Sequence, residues 1–257
     1  VNTVKQRLET TTVEEIRRLG AKNVIIFSGP TIISSKIEVQ LKAEVSPALS
    51  IKRVYGANRY ETAALTAGML DYDTVVLVNA EGTGTRGSYP DALGAGPGAA
   101  VNGYPILFVK PNAIPDATMK LLSSGKVDKA YIIGGTSVVD RNVEALVKTK
   151  VKTVVRLGGA NREETCILVQ KEFFPANQKY NAAFAATGWN FADALTGGVA
   201  AAKMGCPLVL VHPTNVPVTS CVSEYLNAIE PVHVVIFGGD SVVSYRVKAA
   251  LELFERK

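Results

Sequence analysis

Histidine, cysteine and tryptophan are scarce in this chain of 257 residues, at two, three and one respectively. His212 and His233 stand alone, and no His-Glu-x-x-His helix or Cys-x-x-Cys pair offers metal-ligand spacing. No Gly-x-Ser-x-Gly elbow presents a serine nucleophile. No apolar run approaches the roughly 20 residues of a membrane-spanning helix. The opening residues, Val1-Asn-Thr-Val-Lys-Gln-Arg7, lack an initiator methionine and the apolar core of a secretion signal. They read as the start of a processed or excised piece. Cys166 and Cys221 fall in helical patterns and Cys206 precedes an apolar strand, so the cysteines read as small buried hydrophobes, not as a disulfide framework. Neither a catalytic residue nor a metal nor a cofactor is expected.

What is present suits a globular α/β protein. Hydrophobic residues make up 47% and charged residues 20%, enough for a substantial core. The net charge of +5 is compatible with an anionic partner. The basic residues are spread out: Lys148, Lys150, Lys152 and Arg156 surround one connector, and Lys42, Lys52 and Arg53 the corresponding one. A solvated face and a polyanion-binding stripe both fit that spacing.

The chain repeats itself. Arg53-Val-Tyr-Gly-Ala-Asn-Arg-Tyr-Glu-Thr62 returns as Arg156-Leu-Gly-Gly-Ala-Asn-Arg-Glu-Glu-Thr165, displaced by 156 − 53 = 103 residues. Tyr89-Pro-Asp-Ala-Leu93 returns as Phe191-Ala-Asp-Ala-Leu195, and Gly103-Tyr-Pro-Ile-Leu-Phe-Val109 as Gly205-Cys-Pro-Leu-Val-Leu-Val211. Tyr131-Ile-Ile-Gly-Gly-Thr-Ser-Val-Val139 returns as Val235-Ile-Phe-Gly-Gly-Asp-Ser-Val-Val243. A unit of about 100 residues is the size of a small α/β domain. Strands are predicted at Thr74–Asn79, Pro105–Lys110, Lys129–Ile133 and Lys152–Arg156, with helices between them, which implies a parallel sheet covered on both faces. The apolar-Gly turn also occurs early, in Asn23–Ile33. The expected organisation is therefore 1–52 as the C-terminal half of a first repeat, 53–155 as a second lobe and 156–257 as a third.

Several repeated residues invite a functional reading beside a structural one. Asn58 with Glu61 and Asn161 with Glu164 have capping-box spacing. Arg53, Arg59 and Asp91 recur as Arg156, Arg162 and Asp193. They could form salt bridges within or between lobes, or present arginine forks to carboxylate or phosphate groups of a polymer. Trp189 could stack on a sugar ring or anchor its loop. Gly82-Thr-Gly-Thr-Arg-Gly87 formally matches a dinucleotide fingerprint. Against it stand the missing acidic residue about twenty positions on, Asp91 near the helix start, and the absence of these glycines from Thr187-Gly-Trp-Asn-Phe191.

Together these four motifs, in fixed order along the chain, resemble the type 2 cell-wall-binding repeat of Gram-positive surface proteins. The resemblance implies tandem Rossmann-like lobes around a pseudo-threefold axis and a non-catalytic module. Its role would be to anchor an S-layer-associated protein, adhesin or autolysin to an anionic wall polysaccharide or teichoic-acid-like polymer. It implies a secreted protein at the wall of a Gram-positive-type bacterium, with no nucleic-acid partner. Self-association could complete the truncated first repeat. In that family the apolar strand after proline is associated with anchoring. Here it falls on Ile106, Leu107 and Phe108 and on Leu208, Val209 and Leu210, with the Ile-Leu-Leu triplet intact in neither copy. Arg53, Arg59, Arg156, Arg162, Trp189, Ile106, Leu107 and Leu208 are thus the candidate polymer contacts, and Asp91, Asp193, Asn58 and Asn161 the candidate ion-pair or capping residues. The rival readings are a nucleotide-dependent enzyme using Gly82–Gly87 and an adhesin facing a host or neighbouring cell.

Overall fold

A computed structural model describes residues 6–81 and 89–256, so the Gly82–Gly87 loop lies outside the described residues. The chain divides into two compact units, Val1–Met69 and Leu70–Lys257.

The first unit runs α1 (Thr10–Arg18), β1 (Asn23–Phe27), α2 (Lys36–Glu44), β2 (Ser50–Val54) and α3 (Arg59–Ala67). β1 and β2 pair in parallel, from Asn23 opposite Ser50 to Phe27 opposite Val54. A parallel pair needs a crossover, and α2 supplies it. Ile37 and Leu41 on α2 pack against Ile26 and Leu49 to make a small core.

The second unit continues with β3 (Thr74–Asn79), α4 (Tyr89–Val101), β4 (Ile106–Val109), α5 (Asp116–Leu122), β5 (Lys129–Ile133), α6 (Arg141–Lys148) and β6 (Thr153–Leu157). It then repeats the pattern as α7 (Arg162–Phe173), β7 (Ala182–Thr187), α8 (Ala192–Lys203), β8 (Leu208–Val211), α9 (Ser220–Ile229), β9 (His233–Phe237) and α10 (Tyr245–Glu252). The strands form two parallel sheets, ordered β4-β3-β5-β6 and β8-β7-β9. Every residue of β3 and of β7 is buried. That is why these central strands are continuous apolar or small-residue runs and do not alternate.

The sequence repeat and the sheets are out of phase by one strand. The repeated motif opens on Arg53 in β2 and on Arg156 in β6, yet each strand completes the sheet of the copy before it: β2 pairs with β1, and β6 with β5. Each motif therefore begins on the last strand of one sheet and runs into the helix that follows it, α3 or α7.

In the second unit, α7 and α8 pack against α4, and close approach depends on small residues. A Cβ on Gly94 of α4 would lie 3.1 Å from Cys166 Sγ of α7, and one on Gly98 would lie 2.4 Å from Phe173. Gln170 of α7, fully buried, donates to the Gly94 carbonyl at 2.8 Å and accepts from the Leu208 amide at 3.1 Å. One side chain thus ties a helix of the second copy to a strand of the third, with both ends of its amide satisfied. Cys166 belongs to the same core. Burial pushes its thiol up to about 12, so it serves as a small core residue with no thiolate at neutral pH.

Candidate functional site

The Gly-Ala-Asn-Arg-x-Glu-Thr segment builds a helix start. Asn161 Oδ1 accepts from the Glu164 amide at 2.9 Å, and Glu164 turns back to accept from the Ala160 amide at 2.9 Å. Thr165 Oγ1 accepts from the Gly159 amide at 3.0 Å. In the first unit, Asn58 accepts from the Tyr60 and Glu61 amides, Glu61 from Ala57, and Thr62 from Gly56. The donors left unpaired at a helix N-terminus explain why these residue types recur together.

The first arginine of each motif is enclosed. Arg156 donates from Nε to Glu144 at 2.7 Å and from Nη1 to the Gly134 carbonyl at 2.8 Å, with 16% of its side chain exposed. Arg53 does the same in the first unit, reaching Glu38 at 2.7 Å and the Ser28 and Ile33 carbonyls, with 12% exposed. Lys148 first, then Arg156, hold the Glu144 carboxyl below the usual carboxylate range. Each fork joins a strand end to the turn and helix before it, and neither faces outward toward a polymer.

The repeated aspartate and the repeated Gly-Gly turn are two halves of one contact. Gly134 has φ +111° and a Cβ there would lie 2.7 Å from Asp91 Oδ2, while Gly238 has φ +121° with Asp193 Oδ2 at 3.3 Å. Only glycine meets both demands. The strand order reverses between β3 and β5, which places the usual ligand crevice of such a sheet at this spot, beyond the strands' C-terminal ends. Here a carboxylate occupies it, and a phosphate would be repelled. Burial pushes the Asp91 carboxyl up from 3.8 to about 6, against the opposing pull of Arg162. The expected pairing of this aspartate with an arginine is thus a through-space attraction to the helix start of the next copy.

Beside that crevice lies an exposed aromatic platform. The Arg162 guanidinium sits 4.5 Å above the Trp189 ring and donates to the Gly188 carbonyl. The His212 and Trp189 rings meet edge to face with their centroids 4.5 Å apart. His212 Nδ1 accepts from the Thr214 and Asn215 amides, both at 3.2 Å, so the ring proton is on Nε2 when the ring is neutral. The His212 amide in turn donates to buried Glu163 at 3.0 Å. Tyr89 Oη donates to the Trp189 carbonyl at 3.2 Å, and its ring meets Phe191 edge to face at 5.7 Å. Trp189 is 40% exposed and Phe191 53%. A flat π face backed by a fixed cation suits a sugar ring carrying a negative group.

A concavity of about 420 Å³ opens at the opposite strand ends and is lined by Asp71, Tyr72, Tyr104 and Lys126 among others. Lys126 pairs with Asp71 at 3.4 Å, while Lys179 pairs with Glu230 at 2.9 Å at the matching positions three residues before β7 and β9. Reversed charges at equivalent places read as a fastening between strand entries.

Comparison with known proteins agrees with this architecture. The profile of "Cell wall binding domain 2 (CWB2)" matches residues 53–144 and 156–248. The chain belongs to that family. This CWB2 chain is accordingly a cell-wall-binding module, and its place is the cell wall or cell surface. It is 31% identical over 215 residues to "N-acetylmuramoyl-L-alanine amidase LytC" of Bacillus subtilis, covering 83% of this chain and 40% of that protein. It is 29% identical over 211 residues to the "Amidase enhancer" of the same organism, covering 82% and 27%. Among solved structures, Cwp6 from Clostridium difficile is 27% identical with a TM-score of 0.82, covering 96% of this chain and 39% of that one. Cwp8 from the same organism, at 23% identity and a TM-score of 0.71, shares the fold. The CWB2 chain thus spans 40% or less of each of these proteins.

Of the sequence-derived candidates, Trp189 and Arg162 meet in the platform, whereas Arg59 opens α3 in the first unit. Leu107 and Leu208 are fully buried, and Ile106 packs against the core that holds Val76 and Tyr131. Burial leaves Leu107 and Leu208 no surface to offer a polymer; their strand is apolar because it is core. Sequence reasoning passed over Glu38 and Glu144, the acceptors for the two enclosed arginines. Their signal was present: each follows its turn by the same interval, 38 − 28 = 144 − 134 = 10 residues. Tyr89 and Phe191 were read as motif positions only, although their recurrence as aromatics pointed to the platform.

Proposed function

We propose that this module carries no chemistry of its own and holds a larger surface protein on an anionic wall polymer, outside a Gram-positive-type cell. The Trp189–Arg162 platform carries the reading, because it joins an exposed ring to an immobilised cation where two copies of the repeat meet. The net charge of +5 favours the same class of partner, through long-range attraction. Similar weak contacts on several lobes would add through avidity. Self-association of the chain belongs to the same reading.

Retention on isolated cell walls, before and after removal of the anionic polymer, tests it. Walls stripped of polymer should retain little protein; undiminished retention would sink the polymer assignment. Trp189→Ala should weaken retention about tenfold, the effect of losing ~1.4 kcal/mol, while leaving the thermal midpoint nearly unchanged because the ring is substantially exposed. Binding should also fall as salt is raised from low to high ionic strength, through screening of the exposed charges. Salt-insensitive binding would point to lectin-like recognition of neutral sugar.

A further inference from the structure

The concavity of about 420 Å³ at the strand entries of the second copy is lined by Asp71, Tyr72, Asp73, Asn102, Tyr104 and Lys126. These residues stand on three connections, the ones that enter β3, β4 and β5. A parallel sheet brings its strand beginnings to one edge, so groups far apart in the chain meet there. Tyr104 is a fixed wall. Its ring stacks on Tyr131 with centroids 6.3 Å apart and meets Phe173 edge to face at 6.2 Å, yet the residue is only half-buried. Tyr72 is held by the Lys126 ammonium, 4.4 Å from its ring centroid. Rings anchored in this way bind a ligand without the entropic cost of being ordered by it.

The third copy shows which of these residues the sheet itself requires. Counted back from the strand starts, Asp71, Tyr72 and Asp73 correspond to Lys179, Tyr180 and Asn181, and Lys126 to Glu230. Around the Gly-x-Pro motif, Asn102 and Tyr104 correspond to Met204 and Cys206. Only the tyrosine before the central strand is kept. Tyr180 uses its hydroxyl internally, on the Pro175 carbonyl at 3.0 Å, and Cys206 is 2% exposed. In the second copy the Tyr72 and Tyr104 hydroxyls have no hydrogen-bond partner among the described residues, and Asn102 uses only its Nδ2, on the Gly98 carbonyl at 2.8 Å. The same sheet therefore folds without Tyr104, Asn102 and the two aspartates. Their unspent hydrogen-bonding capacity converges on one hollow, which is the pattern of a ligand site.

We propose that this hollow is a saccharide site for one uncharged pyranose unit, with the sugar against Tyr104 and its neighbouring hydroxyls on Asp73 and Asn102. The planar carboxylate and amide each carry paired polar atoms that match two adjacent hydroxyls, and the tyrosine supplies an apolar body with a polar tip. Charge selects the ligand. Asp71 and Asp73 face a single cation, Lys126, which is already paired with Asp71 at 3.4 Å. A sugar bearing carboxylate or phosphate is repelled there, so the hollow takes neutral units whereas the Trp189–Arg162 platform takes charged ones. The site does not depend on that platform. Two sources offer a neutral unit, the anionic polymer itself and the glycan strands of the wall, and competition separates them.

Amide NMR of the whole chain, titrated with N-acetylglucosamine and with methyl glucoside, reads the site directly. Shifts should cluster at residues 71–73, 102–104 and 126 and fit a dissociation constant of about 1–10 mM, the worth of a few hydrogen bonds. Asn102→Met, an exchange the fold accepts at the matching position of the third copy, should weaken binding about fivefold, the loss of roughly one hydrogen bond. The thermal midpoint should hardly move, because Asn102 is exposed. Tyr104→Ser should abolish the shifts; if it unfolds the chain, Asn102→Met decides. Trp189→Ala should leave this affinity unchanged, which separates the hollow from the platform. An absence of shifts with either sugar overturns the proposal, as do shifts that gather around Trp189 instead or that survive both substitutions in the hollow. Wall glycan fragments or released anionic polymer should displace the sugar, and whichever does so names the source. Displacement by neither overturns the hollow as a wall contact.

Discussion

Arg156→Met should lower the unfolding free energy by about 1–3 kcal/mol, the usual cost of leaving an enclosed polar group without its hydrogen-bond partner. The arginine joins Glu144 of α6 to the Gly134 carbonyl after β5, and its removal takes a charged donor from that carbonyl and leaves Glu144 with Lys148 alone. Arg156→Lys should recover only part of the loss, because a single ammonium cannot span both acceptors as a planar fork does. The decisive readout is a pair of measurements, urea unfolding and wall retention of the folded fraction. A large loss of stability with unchanged retention fits the enclosed geometry. Lost retention at unchanged stability would return this arginine to the polymer-binding set.

The second large effect concerns pH. Asp91 titrates near 3.8 when unfolded and about 6 in the fold, so between those values the native state holds the extra proton. Where the native state binds more protons, stability falls as pH rises. The wild type should therefore lose stability progressively from about pH 4 to pH 6 and above, by up to ~3 kcal/mol. Asp91→Asn keeps the shape and removes the charge. It should raise the thermal midpoint at pH 8 by up to about 6–10 °C for a chain of this size, change little at pH 4, and flatten the slope between. Parallel pH profiles for the two proteins would show that Asp91 is not the group responsible.

These expectations depend on a division between local and non-local information. The strands Thr74–Asn79 and Lys129–Ile133 and the Asn58 and Asn161 caps could be read from the chain because their causes are local. A central strand must be apolar throughout, and a helix start needs acceptors within a few residues. The arginine forks were harder to read. Their acceptors lie 15 and 12 residues from Arg53 and Arg156 and come together only through the crossover that brings successive strands side by side. The apolar strands show the opposite difficulty: the pattern Ile106-Leu107-Phe108 is the same for a core strand and an anchoring strip, and burial alone separates them.

The amino-acid sequence by itself determined that a unit of about 100 residues is duplicated, that it alternates strand and helix, and that its motifs are those of a cell-wall-binding repeat. Periodicity, capping and turn chemistry act over a few residues, so they are written directly in the chain. The tertiary structure decided which copies of a repeated residue do which work. Leu93 and Leu195 occupy the same motif position and the same helix register, yet one is buried and the other 58% exposed. The difference lies in what packs beside each helix, since burial is a property of neighbours that the residue's own segment does not supply.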